Sequence, residues 1–295
     1  KRLLPFLYMV DDPDKWNDIN ELRKSNPNLG VSVTVDYLLE EIAVAEGSLS
    51  KKAEFMTKYC NVKQNSSLAW LDAIAVNNAF QEHEELSNFK NCYCVGGLDL
   101  SQTTDLTACC IVIEKDGKLH VFSHFFMPRE RMEENSARDG LNYALYEQQG
   151  FLSGSGDNFV DYHDCFQWFV DLIEKYKIYP LKIGYDRYSS QYLVQEMQQY
   201  GFHMDDVYQG HNLSPCIQEV EGLVNDGVLQ FNENSLMMMH LLDSAVKLDT
   251  ETRKRKLIKL EERKHIDGVA ALLDAFAVRQ KYWNEIGSQL TNNRR

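Results

Sequence analysis

Asp99 is the first residue in this chain whose setting suggests chemistry. It lies in the run Gly97-Leu98-Asp99-Leu100-Ser101-Gln102-Thr103-Thr104-Asp105-Leu106-Thr107-Ala108, an acid inside strand-like apolar sequence. Burying a carboxylate is costly without a partner, and strand alternation turns its side chain away from those of Leu98 and Leu100. A divalent cation is such a partner, and the small, polar residues that follow leave room for a metal or a phosphate. Asp186 has similar company at the end of Leu181-Lys182-Ile183-Gly184-Tyr185, and Arg187 follows it. Ligands of α/β sheets gather outside strand ends, which gives Asp99 and Asp186 a common meeting place. Capping of the next helix is the plain alternative for Asp186.

A third acid comes from Lys264-His265-Ile266-Asp267-Gly268-Val269-Ala270-Ala271-Leu272-Leu273-Asp274-Ala275-Phe276. The segment reads as a helix whose small residues Gly268, Ala270 and Ala271 permit close packing on a sheet. Asp267 and Asp274 share a helix face but stand about 10.5 Å apart along the axis, so they do not hold the same ion. Asp267 is preferred, because a carboxylate at the amino end is favoured by the helix dipole and projects toward the strand tips. Asp274 is then a buried supporting acid, and it stays open as the alternative ligand.

Three carboxylates select hard ions, and Mg²⁺ is held by few of them while keeping waters for substrate phosphates. Two such ions about 4 Å apart activate water on one side of a phosphodiester and stabilise the leaving oxygen on the other. That chemistry needs no protein nucleophile, and the sequence offers no convincing Ser-His-Asp or Cys-His grouping.

The elements that must position these acids fall in two stretches. Residues 1–90 are expected to be mostly helical: one helix from Asp14 to Ser25, a break over Pro27 to Gly30, a second capped by Ser32 or Thr34 through Ala45, and a third from Ser50 to Tyr59. The join is expected near Gln81 to Asn91, where polarity rises, and residues 91–295 alternate strands with helices. Tyr93 to Leu100, Leu106 to Glu114 and Lys118 to Phe126, with Asp116-Gly117 as a tight turn, predict an antiparallel meander. A strand over Leu181 to Tyr185, a helix over Gln191 to Tyr200 ended by Gly201, and a strand over Phe202 to Tyr208 follow. Gly150 to Asp161 reads as an exposed loop. The expected fold class is therefore α/β, a mixed sheet flanked by helices and preceded by a mostly helical segment.

Composition sets outer bounds. A chain of 295 residues with 44% hydrophobic and 25% charged content, 14 Phe and 15 Tyr is an ordinary folded globule. No run approaches the roughly 20 apolar residues of a membrane helix, and no secretory signal opens the chain. The seven cysteines lack C-x-x-C spacing and read as reduced thiols, Cys92 and Cys94 included. The net charge of −13 is unfavourable for phosphate binding, but distribution matters more than the sum. Lys254, Arg255, Lys256, Lys259, Arg263 and Lys264 crowd into the stretch leading to Asp267, where they would face a DNA backbone; the alternative is a solvated strand face.

The run Gly97 to Ala108, the Tyr185-Asp186-Arg187 strand end and the His265-Ile266-Asp267-Gly268-Val269-Ala270-Ala271-Leu272 helix resemble the three nuclease motifs of the large terminase subunits of tailed phages. The resemblance covers roughly Tyr93 to Trp283 and implies a ribonuclease H-like fold. By the same resemblance, Asp99, Asp186 and Asp267 would bind two Mg²⁺ or Mn²⁺ ions and cut concatemeric viral DNA, with Asp105 in a supporting role. It also implies double-stranded DNA, a small terminase subunit and a portal protein as partners, oligomerisation in a packaging motor, no membrane, and the cytoplasm of an infected bacterium as the location. Trp16, Pro27-Asn28-Leu29-Gly30 and Trp70 are similar to the end of that family's ATPase and its linker. The sequence has no G-x-x-x-x-G-K loop and opens on Lys1 as a fragment would, so no ATPase activity is expected. The rival readings are a resolvase or transposase on the same fold, a non-catalytic docking module of the motor, and a sugar-kinase-like phosphotransferase. The last would need later Gly-rich phosphate loops that are not found.

Overall fold

The computed structural model describes residues 6–47, 49–62, 68–80, 84–100, 106–187 and 191–293. The chain divides into two compact units, Lys1–Trp70 and Leu71–Arg295. The division lies between Trp70 and Leu71. The second unit begins with the helix α4 (Ala73–Ala79), whose neighbour Phe80 stacks on Phe231 with ring centroids 4.8 Å apart.

The first unit is helical, as its sequence predicts. Its helices are α1 (Ile19–Ser25), α2 (Val35–Glu46) and α3 (Leu49–Lys58), and a two-residue strand β1 (Leu68–Ala69) lies near its end. Trp16, Leu22, Leu38, Ile42, Phe55 and Tyr59 form its core. Thr34 caps α2 by accepting from the Tyr37 N–H at 3.2 Å. The helix expected over Asp14 to Ser25 is split. Asp18 turns extended so that its carboxylate accepts from the Asn20 N–H, which separates a 3₁₀ turn at Pro13–Lys15 from α1.

In the second unit, β2 (Tyr93–Asp99), β3 (Thr107–Lys115) and β4 (Lys118–Pro128) form the predicted antiparallel meander. The turn between β3 and β4 has positive φ at Asp116 and Gly117, the pairing that a tight two-residue hairpin demands. After α5 (Met132–Asp139) and α6 (Tyr143–Gln148), the segment expected as a loop contains β5 (Leu152–Ser155), which pairs parallel to β4. Its brevity and its glycine hid it from strand patterning. The chain continues through α7 (Tyr162–Glu174), β6 (Tyr179–Asp186), α8 (Gln191–Tyr200), β7 (Met204–Val207), α9 (Ser214–Asn225), β8 (Leu229–Phe231), α10 (Ser235–Leu242), β9 (Ser244–Leu248), β10 (Arg255–Lys259), α11 (Asp267–Lys281) and α12 (Trp283–Thr291). Among the described residues, seven strands form one mixed sheet in the order β5-β4-β3-β2-β6-β7, with β8 also on β4.

Helices cover both faces of this sheet, and two consecutive glycines of β2 show how closely. A Cβ on Gly96 would meet the Phe169 ring of α7 at 2.8 Å, and a Cβ on Gly97 would stand 1.8 Å from the Ala271 carbonyl oxygen of α11. Successive strand residues point to opposite faces, so α7 and α11 lie on opposite sides. On the α7 side, Phe169, Leu193 and Met197 pack against Leu98, Cys109, Ile111 and Ile183. All seven cysteines are free and buried, which agrees with reduced thiols used as small apolar residues. Among the described residues no helix is long and apolar enough to cross a membrane.

Candidate metal centre

Gly97 and Gly184 pair directly in the parallel ladder of β2 and β6. A Cβ on Gly184 would lie 2.3 Å from the Asp274 carbonyl oxygen, so both strands leave bare backbone for α11 to settle on. Each glycine is followed two residues later by an acid, Asp99 on β2 and Asp186 on β6. Period-two alternation puts both acids on the face that carries α11. The ladder pairs Leu98 with Tyr185, so the two acids end neighbouring strands at the same level, and such strands run about 4.8 Å apart. The meeting place expected for Asp99 and Asp186 is therefore present.

Asp267 opens α11 and Asp274 lies two turns further on, fully buried. Gln209, just beyond β7, donates through Nε2 to Asp274 Oδ2 at 3.0 Å and to Asp99 Oδ1 at 3.3 Å. Burial, then the charges of Asp267 and Asp186, push the Asp99 carboxyl up to about 8 against the opposing pull of Gln209 and Lys259. Burial, then Asp99, raise Asp274 well above the usual carboxylate range. Asp267 differs. Burial pushes it up, but His265 and His240 outweigh burial and hold it below its ordinary value. Its Oδ2 has no hydrogen-bond partner, although His265 Nδ1 stands 3.4 Å away as an ion-pair contact. Asp105 lies outside the described residues.

The donor set fits a hard divalent ion. Asp99 carries charge repulsion from Asp267 and Asp186 that a cation would relieve, and the buried Asp267 Oδ2 has no contact nearer than His265 Nδ1 at 3.4 Å. Among the described residues, no three His, Cys, Asp or Glu side chains close around a single point unaided. That is compatible with Mg²⁺, which binds one or two carboxylates and fills its other positions with water or phosphate.

The basic stretch folds as the β9–β10 hairpin and the segment after it. Arg255 is consumed by an ion pair with Glu221 of α9, and Lys264 reaches Asp243 at 3.3 Å. Lys254, Lys256, Lys259 and Arg263 are exposed. Lys256 sits directly opposite Lys247 across the hairpin, a like-charge pairing that costs stability unless an anion relieves it. The Lys259 charge lowers the Asp99 carboxyl slightly against the larger effects of burial and the neighbouring acids.

Sequence reading missed Gln209, His240 and Asp139. Gln209 gave no signal, being one amide in a loop. His240 and Asp139 are brought to Asp267 only by tertiary packing. Gly184 and Gly97 did carry a signal, the repeated Gly-x-Asp at two strand ends.

A mixed sheet with acids gathered at the ends of two parallel strands and at the start of the covering helix defines a ribonuclease H-like domain. A crystal structure of the HK97 bacteriophage large terminase has this fold, with a TM-score of 0.63 at 20% identity over 92% of this chain and 56% of that one. Residues 3–281 match the family described as terminase large subunit, endonuclease domain, and the chain belongs to that family. The large terminase subunit of Enterobacteria phage HK97 is 26% identical over 180 residues, 60% of this chain and 35% of that protein. Protein YmfN of Escherichia coli (strain K12) is 24% identical over 295 residues, 96% of this chain and 64% of that protein. The chain thus spans less than two thirds of the length of either relative.

Proposed function

We propose that this chain is a divalent-cation-dependent endonuclease that cuts double-stranded DNA, namely the concatemeric DNA of a tailed phage during genome packaging. The observation that carries the reading is that Asp99 and Asp186 end neighbouring parallel strands on the face covered by the helix that Asp267 opens. Family membership supplies the substrate class, and the exposed cations of the β9–β10 hairpin suit a phosphate backbone.

The residues have separable roles. Asp99, Asp186 and Asp267 would hold two Mg²⁺ or Mn²⁺ ions, with Asp274 supporting Asp99 through Gln209. When bound, such ions supply Lewis-acid activation of a water and charge for the departing oxygen. Lys254, Lys256, Lys259 and Arg263 bind and align the backbone of the duplex. A small terminase subunit and a portal protein, in an oligomeric motor within the infected bacterial cytoplasm, form the setting that goes with this reading.

Plasmid cleavage by the purified chain in Mg²⁺ or Mn²⁺ tests it. Asp99→Asn and Asp186→Asn should each reduce the rate by on the order of 10²-fold or more, with the fold intact. Cutting that survives both changes rules out the assignment.

A further inference from the structure

We infer that Asp139 and His265 are positioning residues for the Asp267 carboxylate, His265 by direct contact and Asp139 through His265. The inference rests on reading Asp267 as a cation ligand. His265 stands with one ring nitrogen against each of two acids: Nε2 lies 3.0 Å from Asp139 Oδ2, and Nδ1 lies 3.4 Å from Asp267 Oδ2. The Asp139 and His265 side chains are only 3% and 9% exposed, so the pair is largely shielded from bulk solvent.

Asp139 has the partners of an anchor. Arg138 grips it through two hydrogen bonds, Nε to Oδ1 at 2.7 Å and a terminal nitrogen to Oδ2 at 2.9 Å. The buried Tyr143 hydroxyl donates to Oδ2 at 2.9 Å. An acid so held is satisfied without the histidine. The contact to His265 therefore does something else: it fixes the plane of the ring and aims the far nitrogen at Asp267.

The ring is also backed from the side. His240 stacks on it with centroids 6.2 Å apart, and His240 Nδ1 accepts the Gly268 N–H at 3.0 Å. Ile266 offers α11 no side-chain cap, so a first-turn donor that would compete for the Asp267 carboxylate is taken by His240 instead. One histidine thus steadies the backbone of the first turn while the other orients the acid that projects from it. Partners behind a ligand commonly set metal affinity in this way.

Mn²⁺ titration of the whole chain, followed by the paramagnetic resonance signal of free Mn²⁺, tests the inference without reference to cleavage. His265→Ala and Asp139→Asn should each weaken Mn²⁺ binding by roughly 10- to 100-fold. His265→Gln, which keeps a donor, should recover part of the loss. The double variant should bind no more weakly than His265→Ala alone, because Asp139 acts through the ring. Singles that bind like the parent, or losses that simply multiply, overturn the inference. If Asp267→Asn itself leaves Mn²⁺ binding unchanged, the metal-site reading beneath it falls first.

Discussion

Gln209 Nε2 donates to the buried Asp274 Oδ2 at 3.0 Å. The same nitrogen reaches Asp99, so one neutral amide ties two buried acids together. Gln209→Leu removes the donor from both, and a buried acceptor left unsatisfied costs about 1–3 kcal/mol. The expected outcome is a loss of that size in urea unfolding of the metal-free chain at pH 7.5. An unchanged midpoint would show that the acids do not depend on the amide.

The metal-free chain should lose stability as pH rises from 6.5 to 8. Asp99 is pushed up to about 8 and Asp274 well above the usual range, whereas in the unfolded chain both titrate near 3.8. Across this window the folded state binds more protons than the unfolded one, so stability falls with pH. His265, raised by its two acids although burial opposes them, contributes with the same sign. Burial pushes His124 and His240 down to about 4; they act in the opposite direction, an opposition already half gone at pH 6.5 that fades as pH rises through the window and is outweighed by the two acids. Denaturation in chelator at pH 6.5, 7.25 and 8 measures the slope. Asp274→Asn should flatten it, and saturating Mn²⁺ should reverse it, because the ion expels the protons.

Gly97→Ala and Gly184→Ala should each destabilise by about 1–3 kcal/mol or more, since the added methyl meets helix backbone that cannot rotate away. Gly222→Ala is the contrasting case. That glycine lies within α9 with nothing near its virtual Cβ, and a gain of about 0.4–1 kcal/mol is expected. Thermal melts of the three variants would expose any departure, and equal effects at all three sites would contradict the close approach of α11.

Lys254, Lys256 and Lys259, changed together to Gln, should weaken binding of duplex DNA at all sequences. They should also reduce the slope of log affinity against log salt by about 1 for each phosphate contact removed. Arg255 is left out because Glu221 already holds it. Filter binding or fluorescence anisotropy at several salt concentrations reads the slope, and an unaltered one would make the hairpin a solvated face.

Much of this architecture was legible in sequence because it depends on local pattern. Alternation and the Asp116-Gly117 turn announced the meander, and Thr34 announced α2. Asp99, Asp186 and Asp267 stood out as acids in apolar or helix-opening company. What stayed hidden depends on contacts between distant segments. The choice between Asp267 and Asp274 looked exclusive along the helix axis, yet the charge of one and the amide-linked carboxylate of the other both bear on Asp99. Asp139, 128 residues before Asp267 in the numbering, has no local feature that marks it. The break at Asp18 was missed because an aspartate caps a helix or sits within one depending on a single backbone torsion.

The bare strip formed by Gly97 and Gly184 has one more consequence. Since α11 rests main chain on main chain there, the gap between its acids and those of the strands behaves as a rigid gauge. A partner that switches the proposed cutting on or off would have to act on the arrival of the duplex or of the ions, because widening that gauge would mean tearing the core apart.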